Sequence, residues 1–73
     1  RYVKDTERFY ARLGCSSSDS DETVKKQYRR LVRDYHPDAI AAKGLPEEFV
    51  KFANDKFREI QEAYEAISRE RNL

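Results

Sequence analysis

Residues 28–38, Tyr-Arg-Arg-Leu-Val-Arg-Asp-Tyr-His-Pro-Asp, decide the fold, because they combine an amphipathic helix with the proline that ends it. Pro37 cannot continue a helix, and it disfavours the helical region of backbone space for His36. We therefore predict that the helix ends at Tyr35. We also predict that an exposed turn begins with His36, Pro37 and Asp38.

This helix, predicted over residues 21–35 with Ser20 as N-cap, presents two separate faces when its residues are placed 100° apart. The apolar stripe that should face the core contains Val24, Tyr28, Leu31, Val32 and Tyr35. The basic face lies nearly opposite and contains Lys25, Lys26, Arg29, Arg30 and Arg33. A solvated surface would explain basic residues here. Five cations on one arc are nevertheless one-sided for a chain of net charge +1, so we interpret the face as a binding surface.

Two further helices are predicted on either side of this one. The first covers about residues 6–13, where Phe9, Tyr10 and Leu13 recur at helical spacing and Gly14 can end the helix. A loop is expected over residues 36–45 and a third helix over about 46–69. The third helix carries a continuous apolar face formed by Phe49, Phe52, Ala53, Phe57, Ile60, Ala63, Tyr64 and Ile67. We predict an all-α domain in which the second and third helices form an antiparallel hairpin and the first helix packs at one end.

Composition narrows the possible classes of protein. A chain of 73 residues holds one domain, here 1–73. Its single cysteine, Cys15, cannot form an internal disulfide, and no Cys and His spacing suits zinc, so we expect a buried thiol, no metal and no cofactor. The longest apolar run, 39–42, is far too short to span a membrane, so we expect this piece to be soluble. Because the chain begins at Arg1, we expect it to be part of a longer protein.

The order and spacing of several motifs resemble those of the J-domain family of DnaJ-like co-chaperones, from Arg8 to Ser68. The motifs are Tyr28-Arg29-Arg30-Leu31, Tyr35-His36-Pro37-Asp38, Lys56-Phe57-Arg58-Glu59-Ile60 and Glu62-Ala63-Tyr64-Glu65. The long connection at residues 42–46 is most similar to that of the C-terminal J domain of DjlA-type proteins. No Asp-Pro segment follows Ser68, so the short fourth helix of the family is expected to be absent.

The resemblance implies that the domain is not an enzyme and acts on a DnaK-type heat-shock chaperone. His36, Pro37, Asp38 and the basic face would bind the ATP-bound chaperone and stimulate its ATP hydrolysis, which is coupled to client protein folding. The domain would be monomeric, with no nucleic-acid or membrane contact. It would lie on the cytoplasmic side of the inner membrane, as part of a parent protein that is anchored there.

Three residues depart from the family pattern, and one of them, Thr23, stands where a capping glutamate is usual. Asp34 and Ala39 stand where basic residues are common, which reduces the positive charge beside the turn.

A helix-turn-helix nucleic-acid binder is disfavoured because the predicted third helix is rich in acidic residues. Catalysis by His36 and Asp38 lacks an accompanying nucleophile motif. A J domain that acts only as a tether is disfavoured by the intact His-Pro-Asp sequence.

Overall fold

The computed structural model describes residues 6–73, and this part of the chain contains helices but no strand. Its four helices are α1 (Thr6–Leu13), α2 (Asp21–Tyr35), α3 (Pro37–Ala42) and α4 (Glu47–Arg71). The predicted all-α class is therefore confirmed. None of these helices is both long and apolar enough to cross a membrane.

The loop predicted over residues 36–45 is wrong in one respect, because α3 occupies residues 37–42. Pro37 ends α2 as expected, but its fixed φ also suits the first position of a new helix, where no backbone N–H is needed. The side chain of His36 caps this new helix by accepting from the backbone N–H of Asp38. α3 precedes α4 and is therefore not the C-terminal fourth helix that the sequence predicts to be absent.

The start of α2 and the end of α1 depend on two local features. Ser20 has an extended backbone (φ −72°, ψ 162°), and its hydroxyl accepts from the Thr23 backbone N–H at 3.2 Å. This is the N-cap that the sequence predicts. Gly14 has φ +73°, and a Cβ at this position would lie 3.0 Å from the amide nitrogen of Gln27. The positive φ therefore favours glycine after α1, whereas the flexible end of the Gln27 side chain can move away from a Cβ.

The core lies between α4 and the other three helices. Its buried side chains are Tyr10, Leu13, Val24, Ile40, Ala53, Ile60, Ala63 and Ile67. Partly buried side chains pack against the main cluster: Phe9, Cys15, Tyr28, Leu31, Tyr35 and Tyr64. Val32 and Phe57, which were also predicted for the core, are partly buried.

The apolar face of α4 is not covered along its whole length. Phe49 and Phe52 are 55% and 62% exposed, although the sequence pattern places both on the packing face. Ile40 is buried although the sequence assigns it to a loop. The N-terminal part of α4 is therefore covered by the short α3 and not by α2.

Two aromatic contacts show that α2 and α4 run antiparallel. Tyr28 stacks on Tyr64 with ring centroids 3.8 Å apart, and His36 meets the ring of Phe57 edge-on at 5.8 Å. From the first contact to the second, the residue number rises from 28 to 36 on one side and falls from 64 to 57 on the other. The two helices therefore run in opposite directions. α1 packs near the C-terminal end of α4, where the hydroxyl of Tyr10 contacts Glu70 and Arg71.

Candidate functional site

The centre of the candidate site is His36, which joins α2 to α3, together with Pro37 and Asp38, the first two residues of α3; we refer to these three residues as the turn. His36 has φ −59° and ψ 139°, a conformation that ends α2 and directs the chain into α3. Its carbonyl accepts from the Ile40 backbone N–H at 2.9 Å, which is the first hydrogen bond of α3. His36 thus connects the two helices, and Pro37 and Asp38 lie in the first turn of α3.

The hydrogen bonds of His36 indicate which of its nitrogens carries the proton. Nδ1 accepts from the Asp38 backbone N–H at 3.2 Å, so in this arrangement Nδ1 has no proton and Nε2 carries it. The carboxylate of Asp38 lies 3.9 Å from the same Nδ1. Because a nitrogen that accepts cannot also donate, we interpret this approach as the geometry of the cap and not as an ion pair.

Phe57 on α4 supports the imidazole of His36. The two rings meet at 72° with centroids 5.8 Å apart, an edge-to-face arrangement. The side chain of His36 is 48% exposed, so one side of the ring rests on α4 while the other faces solvent. The sequence predicts Phe57 as a core residue, and the contact with His36 is an additional finding of the structure. The Lys56-Phe57-Arg58 motif was the available signal.

Asp38 carries the most accessible charge of the turn, since its side chain is 97% exposed. Within residues 6–73 no lysine or arginine forms an ion pair with it. Both carboxylate oxygens can therefore accept hydrogen bonds from another protein. A guanidinium group can donate two parallel hydrogen bonds to such a carboxylate, and charge-assisted bonds of this kind are strong and directional.

The basic face of α2 lies along the helix that ends at this turn. Four of its members, Lys26, Arg29, Arg30 and Arg33, are exposed and line a shallow groove, while Lys25 is partly buried. In the part of the chain that the structure describes, none of the five cations forms an ion pair. Their charge is therefore not neutralised within this part of the chain.

Asp34 is an exposed carboxylate between the basic face and the turn. The sequence places Arg30 four residues earlier, at a spacing that allows an ion pair on a helix. No such pair forms among residues 6–73. Asp34 therefore leaves a negative charge close to the groups that would meet a partner.

Cys15 is another group in the described residues that could be reactive. Burial raises the pKa of the Cys15 thiol, Asp19 raises it further, and Arg71 opposes this effect. The thiol is therefore protonated at neutral pH. No group of three or more His, Cys, Asp or Glu side chains within residues 6–73 is arranged to hold a metal ion.

The chain is similar in sequence to known proteins. The family model described as DnaJ domain matches residues 8–72. The chain is 45% identical over 72 residues to a co-chaperone protein DjlA from Coxiella burnetii, which covers 99% of this chain and 26% of the relative. It is 48% identical over 61 residues to the protein of the same name from Yersinia pestis, covering 84% of this chain and 22% of the relative. The chain thus spans about a quarter of these curated relatives. No solved structure matches it significantly.

Proposed function

The chain belongs to the DnaJ domain family, and from this membership we propose that it docks on an ATP-bound DnaK-type chaperone and stimulates its ATP hydrolysis. The observation that carries the proposal is the exposed Asp38 beside the end of α2, whose five basic-face cations form no ion pair within residues 6–73. The relatives named as co-chaperones support it.

The two parts of the site would act at different stages of docking. The basic face attracts an acidic surface of the chaperone over several ångströms and so raises the association rate. Asp38 then pairs with a cation of the chaperone and fixes the orientation of the complex. The exposed cations determine the association rate, and the turn determines how binding affects ATP hydrolysis by the chaperone.

ATP hydrolysis takes place in the chaperone, and the domain contributes no group to the reaction. A bound domain can change the hydrolysis rate only if it binds one conformation of the chaperone more tightly than another. We therefore propose that the turn favours the conformation that hydrolyses ATP and closes on a client protein. The domain acts as an allosteric activator in this scheme.

The test is a steady-state ATPase assay in which the 73-residue domain is titrated into a purified DnaK-type chaperone. The parent domain should raise the ATPase rate to a plateau. Asp38→Asn is the matched control, because it removes the charge while keeping the size of an exposed side chain. We expect this variant to remain folded by circular dichroism and to lose the stimulation. A parent domain without any effect on the rate would overturn the proposal.

We also propose a cytoplasmic location for the domain, in a parent protein anchored to the inner membrane. The proposed partner uses ATP, and an unpaired thiol such as Cys15 suits a reducing compartment. Protease treatment of intact and lysed spheroplasts would test the location. Degradation of the domain only after lysis is the expected result.

A further inference from the structure

An apolar groove lies where α2, α3 and α4 meet, next to the candidate site. We define it by its apolar lining residues Tyr35, Ile40, Leu45, Phe49, Phe52 and Ala53. Three of these side chains are unusually exposed for their size: Leu45 at 39%, Phe49 at 55% and Phe52 at 62%. Exposed apolar side chains that cluster in this way commonly mark an interaction surface.

The lengths of the helices explain why the groove is open. α2 ends where His36 meets Phe57, whereas α4 begins at Glu47, ten residues earlier. At about 1.5 Å per residue, α4 extends about 15 Å beyond the end of α2. α3, with six residues, is the helix that packs against this extension, and it contributes Ile40. Phe49 and Phe52 remain exposed.

The groove is continuous with the candidate site. Tyr35 lines the groove and directly precedes His36. Ile40 also lines it and belongs to α3, which begins with Pro37 and Asp38. A protein surface that covers the turn therefore lies beside the groove.

We propose that the apolar groove is a second contact with the DnaK-type chaperone that engages His36 and Asp38, and that it receives an apolar side chain of that chaperone. This inference rests on the proposed function. The two charged residues that also line the groove, Asp34 and Lys43, have opposite signs. The groove thus adds little to electrostatic attraction, and its contribution is the burial of apolar surface, which lowers the dissociation rate.

Other occupants fit the groove less well. A stable homodimer buries about 800 Å² per partner, which involves some 20–30 residues on each side, and the groove offers few exposed apolar side chains. A groove that binds an anionic membrane surface would be expected to have a basic rim. In this groove the opposite charges of Asp34 and Lys43 cancel. A chaperone already held by the turn needs only a small additional contact.

The test compares Phe49→Ser/Phe52→Ser with the parent domain in the ATPase titration. Burial of two half-exposed phenylalanines contributes enough binding energy that we expect the double variant to need about ten times more domain for half-maximal stimulation. The maximal stimulation should stay unchanged, because the turn is intact. The difference should persist at high salt, since apolar burial is not screened.

Leu73→Ser is the matched control, since Leu73 is a 40% exposed apolar residue beyond the other end of α4. It should behave like the parent domain. Phe52→Ser alone removes the more exposed ring, and it should show a smaller shift in the same direction. Circular dichroism establishes that each variant is folded.

The outcomes separate this inference from the proposed function. If the parent domain stimulates hydrolysis and both Phe variants match its half-maximal concentration, the groove does not contact the chaperone, while the proposed function stands. If the parent domain does not stimulate hydrolysis, the proposed function itself fails. Concentration-dependent dimerisation of the parent domain that the double variant loses would assign the groove to a second copy and overturn the inference.

Discussion

His36 combines a structural task with its place in the candidate site. Its side chain caps α3, its carbonyl starts the hydrogen bonding of α3, and its ring rests on Phe57. A loss of activity in a His36 variant could therefore reflect either the loss of the cap or the loss of the imidazole. A substitution that keeps the cap separates these two effects.

We predict that His36→Asn retains α3 but loses most of the stimulation of the chaperone. Asparagine is a good N-cap residue, so the Asp38 backbone N–H keeps an acceptor. The edge-to-face contact with Phe57 is lost. Hydrogen exchange at the Ile40 amide would report on α3, and the ATPase assay on activity. Full stimulation by this variant would show that the cap alone is sufficient.

Cys15 illustrates how burial controls chemistry at a single residue. The thiolate is the reactive form, and burial, followed by Asp19, raises the pKa of this thiol above its ordinary value. Since the folded pKa is raised, the unfolded chain ionises first as pH rises. We predict that iodoacetamide at pH 8 modifies the folded domain more slowly than the same domain in urea, as measured by mass spectrometry. Equal rates, corrected for the effect of urea on a free thiol, would contradict this.

α2 has a packed face and an exposed basic face. Val24 is buried and Tyr28 stacks on Tyr64, whereas Arg29 and Arg33 are exposed. Charges can therefore be changed on the basic face without disturbing the packed face.

We predict that Arg29→Glu/Arg33→Glu lowers the rate of association with the chaperone about tenfold at low salt. Added salt should slow the parent domain in the same direction, because screening weakens the attraction. Stopped-flow measurement at several ionic strengths would test this. Arg12→Glu/Arg69→Glu makes the same change in net charge on α1 and α4, and it should have a much smaller effect. Equal effects of the two double variants would show that net charge matters and the basic face does not.

Asp34 is expected to oppose the basic face, because its carboxylate lies in the last turn of α2, where the helix dipole disfavours negative charge. We predict that Asp34→Asn raises the association rate and that Asp34→Lys raises it further, without changing the maximal stimulation. Both rates would be measured at low salt. Weaker binding of either variant to its own cognate chaperone would instead identify Asp34 as a contact with a basic group on that chaperone.

Arg71 connects parts of the molecule that are distant in the chain. Its Nε donates to the Tyr10 hydroxyl at 2.8 Å, and its Nη1 donates to the Asp21 carboxylate at 2.7 Å. Its Nη2 donates to the carbonyls of Ser17 and Asp19 at 3.2 and 2.8 Å. The side chain is 15% exposed. One guanidinium group at the end of α4 therefore joins α1, the loop between α1 and α2, and the start of α2.

We predict that Arg71→Met lowers the free energy of unfolding by about 1–3 kcal/mol, because several hydrogen bonds lose their donor at once. Urea denaturation would measure the change. Arg69→Met is the matched control, since Arg69 is 76% exposed and forms one ion pair, 3.7 Å from Glu65. Its effect should fall within about 0.5 kcal/mol. Similar losses in both variants would show that the hydrogen bonds of Arg71 contribute no net stability.

The all-α class and the end of α2 can be predicted from the sequence, because both depend on local chemistry. Helical periodicity is visible along the chain, and Pro37 ends a helix whatever surrounds it. The same periodicity placed five cations on one side of α2, since residues on one helix have a fixed angular spacing.

The tertiary structure is needed to show which parts of these helix faces are covered and which side chains are in contact. Phe49 and Phe57 occupy similar positions in the apolar pattern, yet Phe49 is exposed because α4 extends beyond α2, while Phe57 supports His36. Arg71 could not be linked to Tyr10 from the sequence, because 61 residues separate them. Burial and long-range contacts depend on helix lengths and on how the helices pack, and no local pattern contains that information.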